Sequence, residues 1–110
     1  MQASSGGTGV KRSLMRALWL APLLALAGCG NTIYAVQASS ASSRLQEASE
    51  LGAAKLAPYE YYTAKAHMRK AQEEAADADY SDAINFAEVA EEFAAKAIRL
   101  SKEAHRGAGR

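Results

Sequence analysis

The sequence predicts an all-α fold: a small antiparallel helical hairpin or three-helix bundle with an alanine-rich seam and no sheet. Three observations carry this. Tyr61, Ala64, Met68, Ala71, Ala75 and Ala78 recur at alternating steps of three and four, the spacing of one helix face. Ala83, Ala87, Ala90, Ala94 and Ala97 form a second seam a short turn later. No alternating run of Val, Ile and Thr bounded by turn residues competes with them.

The first helix is expected over residues 33–56, with Ala38, Ala41, Leu45, Ala48 and Gly52 on its inner face. The run Ala38-Ser39-Ser40-Ala41-Ser42-Ser43 weakens its start, because serine competes for backbone hydrogen bonds. Gly52 in a helix interior costs about 1 kcal/mol relative to alanine. Residues 29–37 are therefore expected to be a tether, with Asn31 or Thr32 as the N-cap. Pro58 opens the second helix, expected over 58–78, since proline is tolerated at the first helical position. Glu60 falls in its first turn, where the helix dipole favours a carboxylate. Arg69/Glu73 and Lys70/Glu74 are i,i+4 pairs on its wet face.

The polar stretch Asp77-Ala78-Asp79-Tyr80-Ser81-Asp82 breaks the pattern and supplies Asp79 or Ser81 as the next N-cap. The third helix is expected over 81–103, its seam flanked by Phe86, Phe93 and Leu100. Residues 105–110 hold two glycines and little to bury, so they are expected to fray. Facing alanines let helices approach to about 8 Å, but each buries little area. The domain over 38–104 should therefore need the first helix. Leu45, Leu51 and Leu56 are what that helix offers; Tyr61, Met68, Phe86 and Phe93 are what it would cover.

The amino-terminal quarter is organised differently. Lys11, Arg12 and Arg16 precede an apolar stretch over 18–26, and small residues lead into Cys29, the one cysteine. That is the order of a secretory signal with its cleavage site. The apolar run over 14–27 is about 14 residues, short of the roughly 20 that span a bilayer, and Pro22 disfavours an ordinary helix there. Leu26-Ala27-Gly28-Cys29 resembles a bacterial lipobox at all four positions. The resemblance implies cleavage between Gly28 and Cys29, diacylglycerol attached to Cys29 as a thioether, and acylation of the new amino terminus. Residues 1–28 are then a leader and signal peptide that is removed. The Ser/Gly-rich first ten read as an over-extended gene start, with the true start near Val10 or at Met15, or as a disordered leader. The residue after a lipobox cysteine influences sorting, and an aspartate there commonly retains such proteins in the inner membrane. Gly30 in that place implies the outer membrane, facing the periplasm.

Cleavage leaves 82 residues, ten basic against twelve acidic, a formal −2. That suffices for one small domain, and no basic surplus remains to bind nucleic acid. An acylated Cys29 leaves no thiol for disulfide, redox or metal chemistry. His67 and His105, the only histidines, lack metal-ligand spacing, and His67 reads as a surface residue facing away from the seam. Glu73-Glu74, Asp77-Ala78-Asp79 and Glu91-Glu92 gather carboxylates on a wet face or in a polar turn. Nothing there pushes their pKa values apart as acid–base catalysis requires, so they read as solvated groups or weak cation sites. No Gly-rich phosphate loop or nucleophile–base motif occurs. No catalytic residue, no metal site and no cofactor beyond the covalent lipid on Cys29 is expected, and no enzymatic activity.

Tyr59, Tyr61 and Tyr62 stand out. Tyr59 and Tyr62 share a face at i,i+3, and Tyr61 lies on the seam. They either cover the junction with the first helix or form a partner surface, a role that suits tyrosine's apolar ring and polar tip. The stretch Ala57-Pro58-Tyr59-Glu60-Tyr61-Tyr62-Thr63-Ala64-Lys65-Ala66-His67-Met68-Arg69-Lys70-Ala71, then Ala78-Asp79-Tyr80-Ser81-Asp82-Ala83 and the Ala/Glu-rich helix, resembles the DUF4398 group of bacterial lipoproteins over roughly 40–102. The resemblance implies a periplasmic helical domain of undefined function and carries over no catalytic residue. Asp79-Tyr80-Ser81-Asp82-Ala83-Ile84 with Ala90 is also similar to one hairpin of a tetratricopeptide repeat, a unit that needs several copies to bury a core.

The expected function is a non-enzymatic, outer-membrane-anchored helical interaction or scaffold module. Its acyl chains would hold it to the lipid bilayer, and its partner would be an envelope protein or peptidoglycan. The alternative is a self-assembling coiled-coil spacer between membrane and cell wall, a homo-oligomer. Pro58 and the polar break over 77–82 interrupt the continuous heptads such a spacer needs.

Overall fold

A computed structural model describes residues 29–109. The chain divides into two units, Met1–Gly30 and Asn31–Arg110, and of the first only Cys29 and Gly30 are described. The expected signal peptide, with Leu26, Ala27 and Gly28 of the lipobox-like stretch, lies outside the described residues. Among those residues there are helices and no strand: α1 over 29–50, α2 Ala53–Leu56, α3 Pro58–Ala76 and α4 Tyr80–Ala108.

The first helix differs from expectation at both ends. Asn31 and Thr32 lie inside α1 and do not cap it, and the stretch read as a tether, 29–37, is helical. Tertiary contacts outweigh the weak propensity of the serine run: Ala41 is fully buried, Ala38 packs against the core, and the Ser40 hydroxyl bonds across to α4. Gly52 is not in a helix interior. Its φ of 79° is left-handed, which glycine adopts at little cost, and its N–H donates to Ser49 O at 3.0 Å. Its own carbonyl accepts from Lys55 N and Leu56 N to start the one-turn α2. Pro58 then opens α3 at its first position, with Glu60 in the first turn, as the sequence predicts.

α3 ends at Ala76, two residues before the expected 78. Ala78 N–H donates to Ala75 O at 3.0 Å and Asp79 N–H to Glu74 O at 2.9 Å, the paired closure of a Schellman turn. The left-handed position in it is Ala78, at φ 61°, so Ala78 leaves the seam and is exposed. A Cβ is strained there. Ala78→Gly is expected to stabilise the domain by roughly 0.5–1 kcal/mol, read as a rise in melting temperature.

Asp79 caps α4, its Oδ1 accepting from Asp82 N at 3.3 Å. α4 runs to Ala108 and not to 103, so most of the expected frayed tail is helical. Burial and two contacts hold this end. Ser101 is fully buried, Lys102 Nζ meets Glu47 Oε1 at 2.8 Å, and the His105 Nε2–H donates to Leu51 O at 2.8 Å.

The α4 seam packs as the spacing predicts, the α3 seam as far as Ala71, with Ala75 partly exposed, and the α1 face at Ala41 and Ala48. Ala83, Ala87, Ala90, Ala94 and Ala97 of α4 are fully buried, as are Ala64 and Ala71 of α3 and Ala41 and Ala48 of α1. Ala41, Met68 and Ala90 meet from three helices, with Ala38 and Leu45 beside them. A second cluster joins Ala48, Ala53, Ala57, Ala97 and Ile98, rimmed by Leu51, Tyr61 and Leu100. The unit is therefore a three-helix bundle in which α1 is part of the core. Leu56, expected to cover the hairpin, stays exposed.

A candidate partner surface

The three tyrosines fall in two places. Tyr61 packs on the cluster around Ala48 and Ala97, and Tyr62 sets its edge against the Tyr61 ring at 5.2 Å between centroids. Lys65 Nζ lies over both rings, at 5.6 and 5.9 Å. Tyr62 also borders an open groove with Leu45, Lys65, Met68 and Arg69. Tyr59 instead turns toward α4, edge-on to Phe93 at 6.2 Å. The shared face expected for Tyr59 and Tyr62 is thus split, although both stay exposed, at 69% and 55%.

Tyr59 begins a longer aromatic row. Phe93 stacks on His67 with centroids 6.1 Å apart and planes 11° from parallel. His67 in turn lies 6.1 Å from Phe86. His67 is therefore half-buried between two phenylalanines and is not the surface residue expected from its position away from the seam. Its Nδ1–H donates to Thr63 O at 2.9 Å, one turn back, which fixes the ring orientation. The row Tyr59–Phe93–His67–Phe86 follows from helix periodicity. Tyr59 and His67 are eight residues apart on α3, and Phe86 and Phe93 seven apart on α4, so each pair shares a helix face. Antiparallel pairing of the two helices interleaves them. Lys96 Nζ sits 4.8 Å over Phe93 and pairs with Glu92 at 2.8 Å, giving the row a charged border.

Glu91 was also misplaced by sequence reasoning, which grouped it with Glu92 on the wet face. It is the hub between α1 and α4. Its Oε1 accepts from Ser40 Oγ at 2.8 Å and Arg44 Nε at 2.9 Å, and its Oε2 from Gln37 Nε2 at 2.6 Å. The spacing of Gln37, Ser40 and Arg44 by three and four was the available signal, since it puts three donors on one face of α1. These donors, the Ser40 hydroxyl foremost and Arg44 next, hold the Glu91 carboxyl below the usual glutamate range. A depressed folded pKa stabilises above the unfolded value of about 4.3 and is lost as pH falls through the folded value. Glu91→Gln should therefore cost roughly 1 kcal/mol at pH 7, a modest figure because the neighbouring guanidinium is partly solvated. Melts of the variant and wild type should converge as the pH drops below about 4.

Two of the carboxylates at the turn between α3 and α4 have structural roles. Oxygen atoms of Glu74, Asp79 and Asp82 come within 4.8 Å of one another. Yet Asp79 caps α4, and Glu74 binds Lys70 Nζ at 2.6 Å, a contact that raises the lysine's pKa. Both histidines bond backbone carbonyls. Cys29 is exposed. What the geometry offers is a surface: a row of rings on an alanine-cored bundle.

The family model described as a domain of unknown function (DUF4398) matches residues 36–107. The match spans the three tyrosines, the aromatic row and Glu91, and leaves Cys29 outside it. No curated protein and no solved structure matches the chain.

Proposed function

The chain belongs to the DUF4398 family, and on that premise we propose that it is a non-enzymatic interaction module, lipid-anchored at Cys29 to the outer membrane and facing the periplasm. The observation that carries the interaction role is the row Tyr59–Phe93–His67–Phe86. Small bundles usually fill their cores with large side chains. This one fills its core with alanine and stands its rings along one outer face, where Tyr59 is mostly exposed. Aromatic rings are the side chains that most often anchor protein partners.

The anchor is supported by the lipobox residues Leu26-Ala27-Gly28-Cys29. No helix among the described residues is long and apolar enough to cross a membrane, so in this reading Cys29 supplies the attachment. The self-assembling spacer is disfavoured because the alanine seams it would use are already filled within one chain. A photo-crosslinking residue in place of Tyr59, activated in intact cells, tests the partner face. A discrete adduct with an envelope protein or peptidoglycan is expected, and none from the same residue at exposed Ser43 on α1. Indistinguishable patterns from the two sites would remove the aromatic face as the binding surface.

A further inference from the structure

Among the described residues the large apolar side chains left exposed are Ile33, Val36, Leu56, Tyr59 and Tyr62. Ile33 and Val36 are 57% and 68% exposed and three residues apart, so they share one face of α1. We infer that Ile33 and Val36 dock the bundle onto a zwitterionic lipid surface beside its anchor. The inference rests on acylation of Cys29. Acyl chains in the hydrocarbon keep the Cys29 backbone at headgroup level. Ile33 is four residues further along the chain, a reach of about 14 Å even fully extended. An apolar face held that close to a bilayer enters the headgroup boundary, where interfacial helices bury theirs about 5–10 Å deep.

Two neighbours fit the same surface. Tyr34 lies against Tyr80, with centroids 6.3 Å apart, which sets the start of α4 level with this part of α1. Tyrosine favours the headgroup layer. The charges select the lipid. Residues 29–36 carry no basic side chain, and Asp79 and Asp82 stand exposed at the start of α4. An anionic surface repels that end; a zwitterionic one accepts the apolar pair. Because several acyl chains already hold the protein, Ile33 and Val36 determine how the bundle stands and not whether it binds.

The mature chain has no tryptophan, Trp19 lying in the leader, so one introduced ring reports depth. The full lipidated protein is placed in phosphatidylcholine vesicles containing brominated lipid. Val36→Trp is expected to emit at shorter wavelength and to lose most of its emission, and adding Ile33→Asn should reduce that loss. Glu50→Trp, exposed and about 21 Å further along α1 at 1.5 Å per residue, should keep its emission. Exchanging part of the phosphatidylcholine for phosphatidylglycerol should weaken quenching at 36; undiminished quenching overturns the zwitterionic assignment. Equal quenching at 36 and 50, or no effect of Ile33→Asn, overturns the docking. A palmitate-analogue label on the same samples separates the two ideas. Labelled protein with equal quenching loses the docking alone, whereas unlabelled protein loses the anchor and the docking together.

Discussion

Ala90→Glu is expected to remove most of the helical circular dichroism at 37 °C. Ala90 is fully buried where α4 meets Ala41 of α1 and Met68 of α3. A glutamate there must either desolvate its charge without a partner or force three helices apart. The cost is on the order of 4 kcal/mol, a large share of the stability of any small domain. Asn85→Glu, on the exposed side of the same helix, should melt like wild type. If Ala90→Glu also melted within a few degrees of wild type, Ala90 would lie at the surface and the packing register would be wrong.

Removing the first helix should have the next largest effect. A fragment over 57–110 keeps the α3/α4 hairpin but loses every α1 contact. Met68 and Ile98, each 7% exposed in the bundle, would face water. Glu91 would lose its three donors, Lys102 its Glu47 partner, and His105 the Leu51 carbonyl. Alanine seams bury too little area for two helices to offset about 1.5 kcal/mol of ordering entropy per residue. The fragment should melt at lower temperature and over a broader range than 30–110, and should bind a hydrophobic dye that 30–110 does not. A fragment that melts as high and as cooperatively would make α1 dispensable to the core.

The seams were legible because alanine at three- and four-residue steps has one reading in a helix, and every α4 seam position from Ala83 to Ala97 is buried. Pro58 and Asp79 were legible as local punctuation, since proline lacks an N–H and aspartate accepts from a helix start. The helix ends were less so. The left-handed turn at Ala78 uses a residue that propensity assigns to a helix interior, and the length of α4 depends on bonds from Lys102 and His105 to residues more than fifty positions away. The same distance hid both parts of the site. Nothing local to His67 says that Phe86 and Phe93 enclose it, and nothing local to Glu91 says that Gln37, Ser40 and Arg44 converge on it. Local spacing shows which residues share a face, but the pairing of faces is a property of the assembled bundle. The tyrosines were found because three rings lie close in sequence, yet their division between two surfaces is set by which helix each ring meets.

The proposed location and membrane docking both rest on acylation of Cys29. The direct measurement is metabolic labelling with a palmitate analogue in a diderm bacterium. Wild-type protein is expected to take up the label and migrate as the processed form, with its amino terminus at Cys29. Cys29→Ser should take up none and accumulate as the longer precursor. Equal labelling of the two proteins, or processing of the serine variant at the same bond, would contradict a lipid anchor at this residue.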